Sequence, residues 1–96
     1  MNLRWLPEAE RNFTSQIDYI ADRNVSAAIR MGDLIEAAVS RLSEFPESGR
    51  IGRVAGTREL VVTGTPYVVV YSVLPDAVLI LRILHGRQMW PPDPQV

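Results

Sequence analysis

An apolar run from Val78 to Leu84 carries Arg82 as its single charge. A run of this length between turn residues is typical of a strand that is buried in a sheet. An unpaired guanidinium on such a strand would cost several kcal/mol, because burial removes its water. We therefore expect Arg82 to face a carboxylate, a partner chain or an anionic ligand, which makes it a candidate binding residue.

Three strands are predicted in the C-terminal half, at residues 58–63, 67–74 and 78–85. Gly64-Thr65-Pro66 separates the first two strands, and Pro75-Asp76-Ala77 separates the last two. Connections this short contain typical turn residues and join antiparallel neighbours. The pattern therefore predicts an antiparallel meander.

The N-terminal half predicts a short strand, Asn2–Leu6, followed by two helices. Pro7 is typical of the first helical position, and apolar residues at helical spacing continue the first helix through residue 23. We expect Asn24 to end this helix in a left-handed conformation, Ser26 to cap the second helix and Pro46 to stop it. The apolar residues of the second helix alternate spacings of three and four and are Ala28, Met31, Ile35, Ala38, Leu42 and Phe45. The short connection predicts an antiparallel helical hairpin.

The predicted element order, β-α-α-β-β-β, is that of a small α+β protein. We expect the helical hairpin to pack on one face of a small antiparallel sheet. Glycines in residues 47–57 predict a basic surface loop that contains Arg50 and Arg53. Because the sequence contains no repeat or linker, we expect one domain spanning residues 1–96.

Both faces of the last two strands are largely apolar. A two- or four-residue loop at Pro75-Asp76 would pair odd-numbered positions of one strand with even-numbered positions of the next. One face would then carry Tyr67, Val69, Tyr71, Val73, Val78, Ile80, Arg82 and Leu84. The other would carry Val68, Val70, Ser72, Leu74, Leu79, Leu81, Ile83 and His85. Because two helices cover only one face, we expect the other to expose an apolar patch of the kind that binds a partner.

Composition and charge narrow the range of functions. The chain has no cysteine and one histidine, so we expect no metal site and no cofactor. The sequence lacks both the roughly 20 apolar residues of a membrane span and the apolar core of a signal peptide, which favours a cytoplasmic location. Residues 1–49 carry a net charge of −3 and residues 50–87 one of +3, so we expect an acidic or phosphate-bearing partner to bind the C-terminal half.

Several motifs occur together and in order along nearly the whole chain. They are Trp5-x-Pro7-x-Ala9, Pro46-x-x-Gly49-Arg50, Gly56-Thr57-Arg58-Glu59-Leu60, Pro66-Tyr67-Val68-Val69-Val70-Tyr71 and Leu81-Arg82-Ile83-Leu84-His85-Gly86-Arg87-x-x-Trp90-Pro91. With the predicted helical hairpin, this pattern resembles the RelE/ParE superfamily of toxins from prokaryotic type II toxin–antitoxin systems. The resemblance implies a toxin that forms a hetero-oligomer with a cognate antitoxin similar to ParD or RelB.

The superfamily contains two activities. RelE-like members cleave mRNA on the ribosome with basic residues, whereas ParE-like members bind DNA gyrase and have no hydrolytic site. The positions where such nucleases carry basic residues correspond here to Glu59, Val61 and Val68. The net charge of −1 also disfavours docking on ribosomal RNA. The resemblance is therefore closer to the ParE-like branch, and we expect growth inhibition through binding of gyrase rather than through enzyme activity.

Two alternatives stay open. A ribosome-dependent mRNA endonuclease would use His85 as general base and Arg87 or Arg82 as a charge stabiliser. A single histidine at the end of an apolar strand is, however, more often structural. An inactive homologue would retain only antitoxin binding.

The candidate residues for antitoxin or target binding are Arg58, Tyr67, Tyr71, Arg82, Arg87 and Trp90. Stacking on bases is one role for the two tyrosines, but their spacing is more typical of packing within a sheet or of partner contacts, and we favour packing. Trp90 is as typical of a residue that closes the edge of a core as of a binding hot spot. Arg50 and Arg53 are candidate phosphate contacts, although two arginines on a surface loop are usually only solvated.

Overall fold

The computed structural model describes residues 1–92, so residues 93–96 of the predicted domain lie outside the described part of the chain. The elements are β1 (Asn2–Trp5), α1 (Pro7–Ala21), α2 (Val25–Arg41), β2 (Arg50–Ile51), β3 (Arg58–Val61), β4 (Tyr67–Val73) and β5 (Ala77–His85). Five strands form one sheet in the order β1-β5-β4-β3-β2. The predicted α+β class and element order are confirmed, with the short strand β2 added inside the predicted loop.

The sheet is mixed, because β1 lies parallel to β5 while the other neighbours are antiparallel. The helical hairpin carries the chain from the end of β1 back to the far side of the sheet. The last two strands then return it to the edge at which β1 lies. The prediction of a purely antiparallel sheet was therefore wrong for this one pair.

Two predictions at the helix junction were wrong. Asn24, not Ser26, is the N-cap of α2, and its side-chain oxygen accepts a hydrogen bond from the backbone N–H of Ala27 at 3.0 Å. Asn24 has φ −159°, which is extended rather than left-handed. The helix therefore begins at Val25, because the side-chain oxygen of Asn24 satisfies a backbone N–H of the first turn.

The core lies between the helices and one face of the sheet. Ala9 of α1 and Ile35 of α2 are fully buried against Val69 and Ile80 of the sheet. The predicted apolar spacing of α2 is confirmed up to Leu42, the buried C-cap of the helix. Phe45, which was predicted to continue this stripe, lies beyond the helix and is 61% exposed.

A β-bulge at Leu81 decides which side chains of β5 face the helices. Val70 pairs with Arg82 and Tyr71 pairs with Ile80, so Leu81 has no partner in the register. The extra residue reverses the alternation of the strand beyond this point. The predicted faces of Arg82, Ile83, Leu84 and His85 were therefore wrong, whereas those of Val78, Leu79 and Ile80 were right.

Side chains of α1 satisfy the edge of β5 that extends past the end of β1. Asn12 Oδ1 accepts a hydrogen bond from the backbone N–H of Ile83 at 3.4 Å, and Gln16 Nε2 donates to the Ile83 carbonyl at 2.7 Å. Because unpaired strand edges invite association with other chains, these two amides take the place of a missing neighbour strand. Within residues 1–92, no helix is long and apolar enough to cross a membrane.

Candidate functional site

The sheet face that points away from the helices, called here the open face, carries a row of three charged side chains and one valine. Arg50 of β2 pairs with Glu59 of β3, Glu59 pairs with Val70 of β4, and Val70 pairs with Arg82 of β5. Directly opposed residues of antiparallel strands point to the same side of a sheet. The four residues therefore form one line across the open face.

Glu59 is the centre of this line. Its carboxylate accepts a hydrogen bond from the backbone N–H of Arg53 at 2.9 Å, and the guanidinium groups of Arg50 and Arg53 lie 3.0 Å and 3.3 Å from Oε1. Although Glu59 is only 2% exposed, and burial alone would raise its pKa, these hydrogen bonds and charges outweigh burial and lower the pKa. Glu59 is therefore a buried carboxylate that stays ionised and neutralises part of the arginine charge.

Trp90 lies over the same face. The guanidinium carbon of Arg82 is 5.5 Å from the centroid of the Trp90 ring, which is within the range of a cation–π contact. Arg53 Nη1 donates to the Trp90 carbonyl at 3.4 Å. Together, Arg50, Arg53, Glu59, Arg82 and Trp90 form what we call the arginine–tryptophan cluster. The segment after β5 therefore crosses the open face and contacts two of its arginines.

The prediction of an exposed apolar patch was wrong for the centre of this face. Val70 is fully buried there and Leu84 is 9% exposed, although both point away from the helices. Val61, at the β3 end of the same face, is exposed. The open face thus presents charged and aromatic groups at its centre and apolar side chains around them.

Tyr71 and Tyr67 lie under the helices, as the packing interpretation of their spacing predicts. Tyr71 is fully buried, and its hydroxyl donates to the Pro46 carbonyl at 2.7 Å and accepts from the backbone N–H of Gly49 at 2.8 Å. Tyr67 contacts the ring of His85 edge-on at a centroid distance of 5.7 Å, and burial raises its pKa. Neither tyrosine belongs to the arginine–tryptophan cluster.

The structure separates the remaining candidates. Arg58 Nη1 donates to the carbonyls of Gly49 and Glu47 at 2.8 Å and 3.3 Å, so it holds the loop before β2. The side chain of Arg87 is exposed, and its backbone N–H donates to His85 Nδ1 at 3.2 Å. His85 pairs with Tyr67 on the helix side of the sheet, opposite to Arg82.

A pocket lined mainly by polar residues lies beside His85, the candidate general base. It has a volume of about 500 Å³, and its lining includes Asn12, Gln16, Tyr67, His85 and Gln88. The arginines of the cluster do not line it. In residues 1–92, no group of three or more acidic or histidine side chains is placed to hold a metal ion.

Glu59 is the residue of this site that sequence reasoning missed. In the sequence it stands out only through the resemblance, as a position where RelE-like nucleases carry a basic residue. A usable signal existed, because Glu59 is the one carboxylate among the arginines at positions 50, 53 and 58. A buried carboxylate is rare unless it is paired, so this local composition indicates an ion-paired centre.

Comparisons with known proteins agree with this fold. A family model described as the ParE toxin of the type II toxin–antitoxin system parDE matches residues 3–90. The protein Y4kP of Sinorhizobium fredii is 40% identical over 89 residues, which cover 93% of this chain and 92% of that protein. Toxin RelE1 of Caulobacter vibrioides is 38% identical over 83 residues, which cover 83% of this chain and 87% of that toxin.

A solved structure of the chromosomal ParDE toxin–antitoxin system from P. aeruginosa has the same fold. The match has a TM-score of 0.81 and covers 88% of this chain and 95% of that chain, at 24% sequence identity. The extent of the family match and the identity to curated relatives establish the family. The chain belongs to the ParE toxin family of type II toxin–antitoxin systems, within the RelE/ParE superfamily.

Proposed function

We propose that this toxin inhibits growth in the cytoplasm by binding DNA gyrase, and that a cognate antitoxin similar to ParD or RelB neutralises it in a hetero-oligomer. The match to the ParE toxin model supports the choice of target, and membership of a toxin–antitoxin family supports an antitoxin partner. The observation that carries the proposal is the buried carboxylate of Glu59 at the centre of the open face.

This carboxylate opposes nuclease chemistry on the open face. Cleavage of RNA through the ribose 2′-hydroxyl places negative charge on the phosphate in the transition state, and catalysts stabilise that charge with preorganised cations. Here Arg50 and Arg53 are already bound to Glu59. An ionised carboxylate beside the phosphate would raise the energy of the transition state, so this arrangement suits binding of a protein surface better than cleavage.

The positions of the titratable groups favour the same conclusion. A general base and a charge stabiliser must both reach the reacting atoms. His85 lies on the helix side of the sheet and Arg82 on the open face, so the sheet itself separates them. Arg53 and Arg50 are on the open face as well.

The test is controlled expression of the toxin with and without its antitoxin, followed by DNA damage markers and by mapping of mRNA ends. We expect growth arrest, filamentation and a DNA damage response, all of which antitoxin suppresses. The test variant is Arg82→Gln on the open face, and its matched control is Arg30→Gln on the exposed side of α2. Growth arrest with cleavage of mRNA at ribosome-occupied codons would contradict the proposal.

A ribosome-dependent mRNA endonuclease is the second candidate, favoured by the RelE names of three curated relatives. Its base would be His85, at the polar pocket beside Tyr67, with Arg87 as the cation. Abolition of toxicity by both His85→Gln and Arg87→Gln, together with codon-specific mRNA cleavage by the unmodified toxin, would support it. Expression without any effect on growth would instead identify an inactive homologue that retains only antitoxin binding.

A further inference from the structure

We propose that the open face binds a carboxylate from an acidic segment of a partner protein, at Arg82 beside Trp90. This inference rests on the proposed protein-binding mode of action and deepens it by naming the chemistry of the bound segment. The site is the arginine–tryptophan cluster, whose three arginines exceed its one carboxylate.

Arg82 is the cation of the cluster that retains capacity for an anion. Arg50 and Arg53 share Glu59, whereas Arg82 Nη1 donates to the carbonyl of its own neighbour Leu81 at 2.7 Å. Within residues 1–92, no carboxylate oxygen lies within 4.0 Å of the Arg82 guanidinium. A guanidinium has five N–H donors, and a half-buried one gains most from a bidentate carboxylate.

Glu8 on α1 is an acidic residue whose pKa is lowered in part by the charge of Arg82. The hydrogen bond from Arg11 is the main cause of the lowered pKa of Glu8, and the charge of Arg82 adds a smaller effect. Because Glu8 is already bonded to Arg11, it leaves the Arg82 donors available.

Trp90 supplies a second indication that an acceptor belongs here. Its indole Nε1 is buried, and within the described part of the chain it has no hydrogen-bond partner. An indole N–H can only donate, and burial of a donor without an acceptor is unfavourable. The Trp90 ring also covers one side of Arg82, so that the guanidinium edge remains for planar contact with a carboxylate. The ring that contacts Arg82 therefore also carries an unsatisfied N–H, and both groups favour an oxygen acceptor with a negative charge.

The surroundings favour a peptide carboxylate over a nucleic-acid phosphate. Val68 and Leu79 are partly exposed on the open face and offer apolar contacts on both sides of Arg82. Interfaces with nucleic acid are more polar and more positively charged than this surface, in which apolar side chains flank the arginine. A peptide that alternates acidic and apolar residues places one carboxylate at Arg82 and apolar side chains beside it.

The test measures peptide binding directly, without growth or gyrase as a readout, so its failure is distinguishable from failure of the proposed function. The probes are two acetylated and amidated seven-residue peptides, one alternating leucine with glutamate and the other leucine with glutamine. Fluorescence of Trp90 is followed in a Trp5→Phe background. The background also carries Asp93→Asn, which removes the carboxylate three residues after Trp90 in the sequence.

We expect saturable binding of the glutamate peptide below about 1 mM, with an affinity about tenfold higher than that of the glutamine peptide. Arg82→Gln should lower the affinity for the glutamate peptide about tenfold, and Arg82→Lys should lower it less because the charge remains. Arg30→Gln, on the exposed side of α2, should leave the affinity unchanged. Circular dichroism confirms that the variants are folded.

Three results would overturn the inference. Equal affinities of the glutamate and glutamine peptides would show that the carboxylate has no role in binding. Arg82→Gln and Arg82→Lys could both bind the glutamate peptide as tightly as the parent protein does. A ten-residue oligouridylate could bind more tightly than the glutamate peptide, which would assign the site to RNA.

Discussion

The carboxylate of Glu59 binds Arg53 through both its main chain and its side chain. The backbone N–H of Arg53 donates to Oε2 at 2.9 Å, and its guanidinium lies 3.3 Å from Oε1. Because the backbone contact fixes the loop after β2 to β3, Glu59 contributes to the fold as well as to the charge of the open face. The same contact brings Arg53 within hydrogen-bond distance of the Trp90 carbonyl.

Replacing Glu59 with glutamine should destabilise the protein. Glutamine keeps the shape of the side chain but removes the charge that attracts Arg50 and Arg53. It also replaces one acceptor oxygen with an NH2 group, which cannot accept a hydrogen bond from the donors around it. We expect a loss of about 1–3 kcal/mol in the free energy of unfolding, measured by urea denaturation at pH 7. Glu36→Gln, on the exposed side of α2, should change it by less than about 0.5 kcal/mol. Equal stabilities of the two variants would contradict this role of Glu59.

The contribution of Glu59 should disappear in acid. The pKa of Glu59 is lower in the folded protein than the ordinary 4.5, because its hydrogen bonds and the nearby arginines outweigh burial. A lowered pKa means that the unfolded chain takes up protons first, so the stabilisation is fully present above pH 4.5 and is lost as the pH falls through the folded-state pKa. The difference in unfolding free energy between the parent protein and Glu59→Gln should therefore shrink below pH 4.5. A difference that stays constant down to the acid transition would show that Glu59 acts without its charge.

Removal of the Tyr71 hydroxyl should destabilise the protein by about 1–3 kcal/mol, because it leaves the Gly49 N–H and the Pro46 carbonyl without their partner. Thermal unfolding of Tyr71→Phe measures the effect. Tyr67→Phe is the matched control, since the interactions of Tyr67 in the described residues are packing and ring contacts. A melting temperature of Tyr71→Phe equal to that of Tyr67→Phe would contradict the bridging role of this hydroxyl.

Two glycine-to-alanine changes should have opposite signs. At Gly49 a Cβ atom would lie 2.6 Å from Tyr71 Oη and 3.0 Å from the Glu59 carbonyl, so we expect a loss of about 1–3 kcal/mol from overpacking. At Gly32, inside α2, a Cβ atom would meet Ile17 at 3.8 Å, which is an ordinary contact. Gly32→Ala should therefore stabilise the protein by about 0.5–1 kcal/mol through helix propensity. Urea denaturation of both variants checks the pair, and a stabilising Gly49→Ala would contradict the close approach.

Most of the fold could be predicted because local chemistry and global packing agree. Pro7 starts α1, the apolar spacing of α2 matches its buried side, and turn residues at Pro75-Asp76 separate the last two strands. Strand β2 has two residues and exists through its pairing with β3, so no periodicity could reveal it. The bulge at Leu81 was also beyond prediction, because an inserted residue has no composition signal inside an apolar run.

The candidate site could be predicted only in part for the same reason. Arg82 and Trp90 were identified from the sequence, and the structure brings them together. Regular alternation already places Arg82 and His85 on opposite faces, but the bulge reverses which face each of them occupies. The role of Glu59 depends on its contact with Arg53. The conformation of the loop between them makes this contact, and that conformation leaves no recognisable pattern in the sequence.

The most direct test of the proposed target is a supercoiling assay with purified gyrase, the purified toxin and relaxed plasmid, with and without the antitoxin. The account predicts that the toxin inhibits supercoiling or traps gyrase on cleaved DNA, and that stoichiometric antitoxin restores activity. The Arg30→Gln variant, altered on the exposed side of α2, serves as the matched control and should inhibit gyrase like the parent toxin. Full gyrase activity at toxin excess, with ribosome-dependent cleavage of mRNA by the same preparation, would contradict the account.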